Sequence, residues 1–168
     1  MSLPSNIVTP YSVDHAPRIG EALCVAPPRE LHSGSYLMAV WDDAATVCAI
    51  AGPGGIAAVL KALAFWGLIT TAPGDAGYDC LSRFFAPAKA VPEDPVPGSA
   101  HCALTPFWAK RLSKKTLKAR QARPRGGDLL CTDEGARTIL PGELRDLSHR
   151  RDRDLKHYQR EPALISDA

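Results

Sequence analysis

The ten residues Glu93–Cys102, EDPVPGSAHC, bring together the residue types that an acid–base site needs. Asp94 precedes a proline, which disfavours helical backbone and predicts that its carboxylate is displayed at the end of a strand or loop. Gly98 permits a tight turn, and Ser99 is a suitable N-cap for a helix that starts at Ala100. Because the first amides of a helix attract anions, the segment predicts a carboxylate beside an anion-binding cradle.

A second interpretation of the same ten residues needs no chemistry. A proline-stiffened loop that ends in a serine helix cap is common in proteins, and spacing alone favours that interpretation. His101 follows Ser99 by two positions, but such neighbours at a helix start point in different directions. The pattern therefore does not favour a Ser/His hydrolase pair.

Strands and helices upstream must position this segment. SYLMAVWDD (35–43) and TVCAI (46–50) flank an Asp-Asp-Ala turn and predict a strand hairpin. IAAVLKALAFWG (56–67) has helical spacing and ends in glycine, which predicts one amphipathic helix. LITTA (68–72) and YDCLSRFFAP (78–87) predict two strands around a PGDAG turn, and the second strand leads directly into the candidate site.

The elements downstream begin with the helix expected from Ala100, which presents a broad apolar surface and should bend at Pro106. Residues 117–122 predict a strand. DLLCT (128–132) and TILP (138–141) predict a hairpin around the turn DEGAR. A mostly buried, bent helix beside a set of strands follows from this pattern.

Three regions divide the chain at this level. Residues 1–33 are predicted to be a loop-rich entry segment with one short helix near Ile19–Leu23. Residues 34–142 carry the strand and helix patterns of one α/β domain. Residues 143–168 are highly charged and lack an apolar period, which predicts a frayed or disordered tail.

Composition limits the class of protein. The chain has 168 residues, of which 45% are hydrophobic and 23% charged, as is ordinary for a globular domain. Its first residues show neither a basic start nor an apolar run, which predicts a cytoplasmic protein without a signal or a membrane span. Five widely spaced cysteines without a CxxC pair indicate reduced thiols and not a disulfide framework or a zinc site. No metal or organic cofactor is implied, since there is no ligand cluster and no glycine-rich dinucleotide loop.

Positive charge is concentrated in one stretch, although the formal net charge is only +2. Residues 110–125 contain eight Lys or Arg residues and no acid. A solvated helix end and loop explains this run better than a phosphate-binding face, because the stretch carries no nucleic-acid motif. Nucleic acid is therefore not an expected partner.

The segment YDCLSRFFAPAKAVPEDPVPGSAHCALTPFWAKRL (78–112) resembles the signature region of the phenazine-biosynthesis-like (PhzF-type) isomerase family. The resemblance continues upstream through residues 41–75 and downstream through residues 121–131. It implies an α/β (α+β) fold similar to one half of diaminopimelate epimerase, a curved mixed sheet wrapped around a central helix. It also implies that Asp94 takes the place of the family's active-site aspartate, and that Gly98 and Ser99 hold polar groups of the substrate.

Two departures from the family pattern stand out. The family's acid–base glutamate lies in its first half, with neighbours that neither Glu21 nor Glu30 has, and these are the only glutamates before Glu93. The family usually has Thr where this chain has Pro97, which removes a hydroxyl and a backbone N–H from the loop. The sequence therefore resembles only the second half of the family fold.

Two hypotheses for function remain open. The resemblance implies cofactor-independent proton-shift isomerisation or epimerisation of a small carboxylated metabolite in a biosynthetic pathway. Such chemistry needs a second acid–base group opposite Asp94, and a homodimer or a complementing half-domain could supply it. The alternative is a non-catalytic fragment or pseudoenzyme that acts as a binding module. For the isolated chain we expect no turnover.

Overall fold

The computed structural model describes residues 1–89, 91–94, 98–122 and 127–140. Within these ranges the chain forms a mixed sheet with helices on both faces. The strands are β1 (Ser2–Pro4), β2 (Thr9–Tyr11), β3 (Glu30–Ser33), β4 (Leu37–Val40), β5 (Leu68–Pro73), β6 (Cys80–Ala86), β7 (Val91–Asp94), β8 (Thr116–Gln121), β9 (Asp128–Asp133) and β10 (Arg137–Ile139). The helices are α1 (Ala16–Leu23), α2 (Ala44–Ala49), α3 (Ile56–Ala62) and α4 (Gly98–Leu112).

The sheet has the order β1-β10-β9-β8-β6-β5-β4-β3-β2, and β7 also pairs with β6. The pairs β4/β5 and β6/β8 are parallel, whereas the remaining pairs are antiparallel. Residues 5–8 connect the two edge strands and pass over α4, where the amide of Asn6 donates to the carbonyl of Cys102 at 2.9 Å. The sheet therefore curves around α4, as the family resemblance implies.

Side chains alternate between two apolar layers, one on each face of the sheet. Along β4, Leu37 and Ala39 pack with α1, α2 and α3 on what we call the outer face. Met38 and Val40 pack with α4 on the inner face. Because neighbouring side chains of a strand point to opposite faces, one buried strand serves both layers.

The two edge strands of the sheet are short and each contains a proline. Strands β1 and β2 have three residues each, with Pro4 and Pro10 among them. Proline cannot donate a ladder hydrogen bond, so these edges are poor templates for pairing with another chain.

The strands predicted for residues 68–72, 78–87 and 117–122 and the hairpin of residues 128–141 are confirmed, with small differences in length. Helix α4 is mostly buried, as predicted, and it continues through Pro106 to Leu112. The turn between β9 and β10 contains Gly135, whose φ of +72° is readily adopted by glycine.

One predicted strand is wrong. Residues 46–50, expected to form the second half of a hairpin, lie in and just after helix α2. The side chain of Asp43 caps this helix and accepts a hydrogen bond from the amide of Thr46 at 2.7 Å. An aspartate cap of this kind favours the start of a helix. Here it outweighs the β-branched residues Thr46 and Val47, which favour a strand.

The helix predicted for residues 56–67 ends earlier, at Ala62, and Ala64 has a positive φ of 60°. Residues 1–33 contain more regular structure than predicted, namely α1 and strands β1, β2 and β3. Short local pattern cannot reveal three-residue strands that are stabilised by distant partners. The tail predicted for residues 143–168 lies outside the described residues.

Candidate active site

Two strands meet end to end beside β6, and Asp94 lies at that meeting point, which we call the strand junction. Strand β8 runs parallel to β6 and ends where Gln121 pairs with Ser82. Strand β7 runs antiparallel to β6 and ends where Asp94 pairs with Phe84. The carboxyl ends of β7 and β8 therefore face each other, with register positions about 7 Å apart along β6.

The chain leaves this junction in two directions. After β7 it enters α4 on the inner face, and after β8 it turns back into β9. Asp94, which the sequence singles out, lies at this junction, which makes the junction the candidate site.

The pairing partner of Asp94 identifies the face on which its side chain lies. Phe84 belongs to the apolar layer around α4, and directly opposed residues of an antiparallel pair share a face. Asp94 is half-buried. Its side chain therefore lies on the inner face, the same face as the start of α4.

Gly98 and Ser99 begin α4, and Gly98 lies four positions after Asp94. Gly98 is half-buried, and a Cβ added to it would meet side chains of Leu140 at 3.7 Å and Leu3 at 4.0 Å. Ser99 is exposed in the first helical turn. The prediction that Ser99 precedes and caps a helix from Ala100 is wrong, because the helix begins two residues earlier.

The connection between β7 and α4, which includes Pro97, lies outside the described residues. Helix α4 nevertheless packs on the inner face of the sheet, and its amino-terminal end carries the positive end of the helix dipole. The structure therefore brings the predicted acid and the predicted helix start to one face of the sheet. His101, two residues after exposed Ser99, is fully buried, which disfavours the Ser/His pair.

Glu93 is a residue whose role sequence reasoning missed. Its two carboxylate oxygens accept hydrogen bonds from Arg83, Nε at 2.8 Å and Nη2 at 3.0 Å. The two side chains are only 8% and 6% exposed. Nη1 of Arg83 also donates to the carbonyls of Val47, at 3.3 Å, and Ile50 at the end of α2. An arginine inside the apolar run LSRFF signals such a buried partner, since arginine is almost never buried unpaired.

Gln121 is the second missed residue. Its amide Nε2 donates to the backbone carbonyl of Asp94 at 3.3 Å, and its Oε1 accepts from the hydroxyl of Ser82 at 3.1 Å. Both side chains are buried. Gln121 therefore bridges the gap between the ends of β7 and β8.

A cavity of about 520 Å³ lies on the outer side of this region. It is lined in part by Asp75, Arg83 and Arg120. Another cavity of about 450 Å³ lies beside the last turns of α4, lined in part by His32 and Phe107. The outer cavity combines an acid with two guanidinium groups and is separate from the inner face on which Asp94 lies.

Three of the five cysteines are buried thiols. Burial raises the pKa of Cys80 far above its ordinary value, raises that of Cys131 to about 12 and also raises that of Cys102. These thiols stay protonated at neutral pH and are poor nucleophiles. The expectation of reduced core thiols fits these three positions, whereas Cys24 and Cys48 are exposed.

The cationic stretch that begins at Lys110 forms ion pairs with acids of other elements. Arg111 contacts Glu30 at 2.6 Å, and Lys115 contacts Glu134 at 3.2 Å. Lys114 pairs with Asp79. Charges engaged in this way fit a solvated protein face.

Residues 1–89, 91–94, 98–122 and 127–140 contain no helix long and apolar enough to cross a membrane. The same residues bring no three His, Cys, Asp or Glu side chains close enough together to hold a metal ion.

A curved mixed sheet around a buried helix, with an aspartate beside the helix start, defines one half of a diaminopimelate epimerase-like fold. The model of the phenazine biosynthesis-like protein family (PhzC-PhzF) matches residues 40–139 of the chain. The chain belongs to this PhzF-type family, and the resemblance expected from the sequence is confirmed.

Individual relatives agree with this assignment. An uncharacterised isomerase of Pseudomonas aeruginosa is 42% identical over 123 residues, which cover 73% of this chain and 46% of that protein. A second uncharacterised isomerase of the same organism is 53% identical over 85 residues, or 51% of this chain and 32% of that protein.

A solved structure supports the fold. The phenazine biosynthesis protein of the PhzF family from Enterococcus faecalis superimposes with a TM-score of 0.71 at 38% identity. The match covers 83% of this chain and 52% of that protein. The chain therefore spans about half the length of the relatives with which it aligns most extensively.

Proposed function

We propose that this chain provides one wall of a cofactor-independent isomerase site, in which a proton is moved within a small carboxylated molecule of a cytoplasmic biosynthetic pathway. The observation that carries the proposal is the position of Asp94 at the strand junction, on the same face as the start of α4. Membership of a family with isomerase relatives supports the reaction class.

On this proposal each group has a role. The amino-terminal end of α4, with Gly98 and Ser99, attracts the substrate's carboxylate through the first amides of the helix and the helix dipole. The Asp94 carboxylate then either accepts a hydrogen bond from a polar group of the substrate or exchanges a proton with the reacting carbon. Gly98, which lacks a side chain, allows the substrate to approach the backbone closely.

A second wall is needed for turnover. Moving a proton from one carbon to another position requires a base and an acid on suitable sides of the substrate. Asp94 supplies one such group, and we propose that a second copy of this chain or a complementing half-domain supplies the other. On this proposal the 168 residues bind a carboxylated molecule alone and turn it over only in the presence of that partner.

The runner-up is a binding module without catalysis. The observation that favours it is the coverage: the chain aligns with about half of its relatives, and the glutamate motif expected opposite Asp94 does not occur in these 168 residues. Both proposals place the ligand at Asp94 and differ only in turnover.

The test uses the purified 168-residue chain in D₂O with D- and L-amino acids and small hydroxy acids. Proton NMR reports loss of the carbon-bound proton, and ¹⁵N chemical shifts report binding. We expect shifts near Asp94 without proton exchange, and at least tenfold weaker binding in Asp94→Asn because the acceptor carboxylate is lost.

The matched control for this test is Asp42→Asn, which alters an exposed aspartate paired with Arg29. Exchange by the isolated chain that disappears in Asp94→Asn would contradict the need for a second wall. Binding that is equally strong in Asp94→Asn would contradict the proposed site.

A further inference from the structure

The end of β7 has little support from the ladder of the sheet. It shares one edge of β6 with β8, and its pairing is irregular, with a register shift between Phe84 and Ala86. Beyond Asp94 the strand ends. A catalytic carboxylate on such a strand end needs additional anchors, because an error of about 1 Å in position costs about 10²-fold in rate.

Gln121 supplies an anchor on the inner face. It is 1% exposed, and its amide reaches across the junction to the backbone carbonyl of Asp94. The bond acts on the residue whose side chain is the proposed acid. This hydrogen bond joins the ends of β7 and β8, each of which pairs with β6 and not with the other.

Ser82 fixes the orientation of that amide. Its hydroxyl donates to Oε1 of Gln121, which leaves Nε2 to face Asp94. The reverse orientation would place Oε1 against the carbonyl oxygen of Asp94, where two acceptors repel each other. The buried pair therefore has one favourable arrangement.

The anchor continues across the sheet as a transverse polar row. Thr71 pairs in register with Ser82, which pairs in register with Gln121. The hydroxyl of Thr71 accepts from Nε1 of Trp108 on α4 at 3.0 Å. Thr71, which binds the central helix, therefore lies in register beside the Ser82–Gln121 pair that reaches Asp94.

We propose that Gln121, oriented by Ser82, is a positioning residue for Asp94. The inference rests on the proposed function of Asp94 and adds that the direction of its carboxylate depends on a neutral amide 27 residues further along the chain. Gln121 itself touches no reacting atom in this account. Its removal should broaden the range of positions of Asp94 without removing the acid.

The test compares Gln121→Met with Thr116→Val. Methionine keeps the length of the buried side chain and removes both hydrogen bonds. Thr116 lies at the opposite end of the same strand, where its hydroxyl contacts that of Thr132 at 3.3 Å, so Thr116→Val controls for a lost hydrogen bond in β8. Gln121→Asn, which keeps an amide on a shorter side chain, tests rescue.

Two readouts are measured on the full 168-residue chain. The first is the carbonyl and carboxyl ¹³C resonances of Asp94, which report the hydrogen bond and the side-chain environment directly. The second is the affinity for glycolate, whose hydroxyl can donate to the Asp94 carboxylate, followed by NMR titration. For Gln121→Met we expect an upfield carbonyl shift and about fivefold weaker glycolate binding, with smaller changes in Ser82→Ala and Gln121→Asn.

Unchanged Asp94 resonances in Gln121→Met would overturn the proposal, as would equal changes in Thr116→Val. If Gln121→Met does not fold, Ser82→Ala decides the question, because it removes the partner that holds Oε1 of Gln121 while keeping the amide present. If glycolate does not bind the unaltered chain, the proposed function fails, while the ¹³C resonances still decide whether Gln121 positions Asp94.

Discussion

Glu93 and Asp94 are neighbouring carboxylates on the last two positions of β7, and the structure gives them different surroundings. Glu93 lies against Arg83, in a bidentate and nearly solvent-free ion pair that also reaches the end of α2. Asp94 lies on the inner face, where Gln121 holds its backbone carbonyl. Alternation along a strand separates two acids that the sequence places side by side.

The difference shows that one strand end is held from both faces of the sheet. On the outer face, a full charge pair anchors β7 and uses the carboxylate of Glu93. On the inner face, neutral hydroxyl and amide groups do the anchoring through the main chain. The bond from Gln121 is made to the backbone carbonyl of Asp94 and not to its carboxylate.

The largest expected effect comes from breaking the outer anchor. Glu93→Gln should lower the free energy of unfolding by about 3–5 kcal/mol, because it leaves the buried guanidinium of Arg83 without its countercharge. Chemical denaturation measures the change. Asp42→Asn removes an exposed partner of Arg29 and should leave the denaturation midpoint unchanged. Equal losses of stability in Glu93→Gln and Asp42→Asn would contradict the anchoring role assigned to Glu93.

A smaller effect is expected at the inner face from Trp108→Phe. The smaller ring loses the hydrogen bond to Thr71 and leaves a void in the layer around α4, which should cost about 2 kcal/mol. Thr71 keeps its own bond to the carbonyl of Leu81 at 2.7 Å, so the loss stays moderate. A loss of stability as large as that in Glu93→Gln would mean that the transverse polar row stabilises the sheet as strongly as the Arg83–Glu93 ion pair.

The smallest effect concerns Glu30, a partly exposed acid remote from both anchors. Burial raises its pKa, but hydrogen bonds from Arg111 and His32 outweigh burial and hold that pKa below its ordinary value of 4.5. Its stabilising contribution is therefore complete above about pH 4.5 and is lost as the pH falls through the lowered pKa.

We expect Glu30→Gln to cost about 0.5–1 kcal/mol at pH 7. The difference from the unaltered chain should shrink as unfolding is measured toward pH 3. A difference that grows on acidification would contradict the assigned direction of the pKa.

Sequence pattern was sufficient for elements with strong local signals. Strands β5, β6 and β8 and helix α4 were predictable from apolar runs and from glycine and proline positions, and the family motif singled out Asp94. Helix α2 was missed because the cap at Asp43 competes with β-branched residues that favour a strand.

The two anchors were not predictable from local sequence. Ser82 and Gln121 are 39 positions apart, and their contact depends on the parallel register of β6 and β8. Arg83 gave a signal as a charge within an apolar strand, but its partner follows only from the pairing of β7. The register of β7 on β6 therefore decides which of its two acids forms the ion pair with Arg83.

The most direct test measures Glu93→Gln and Asp94→Asn side by side, for unfolding free energy and for binding of glycolate by NMR. We predict that Glu93→Gln loses about 3–5 kcal/mol of stability, and that Asp94→Asn loses less than this but binds glycolate at least tenfold more weakly, because the acceptor for its hydroxyl is changed. Loss of stability in Asp94→Asn as large as that in Glu93→Gln, with glycolate binding retained, would contradict this account.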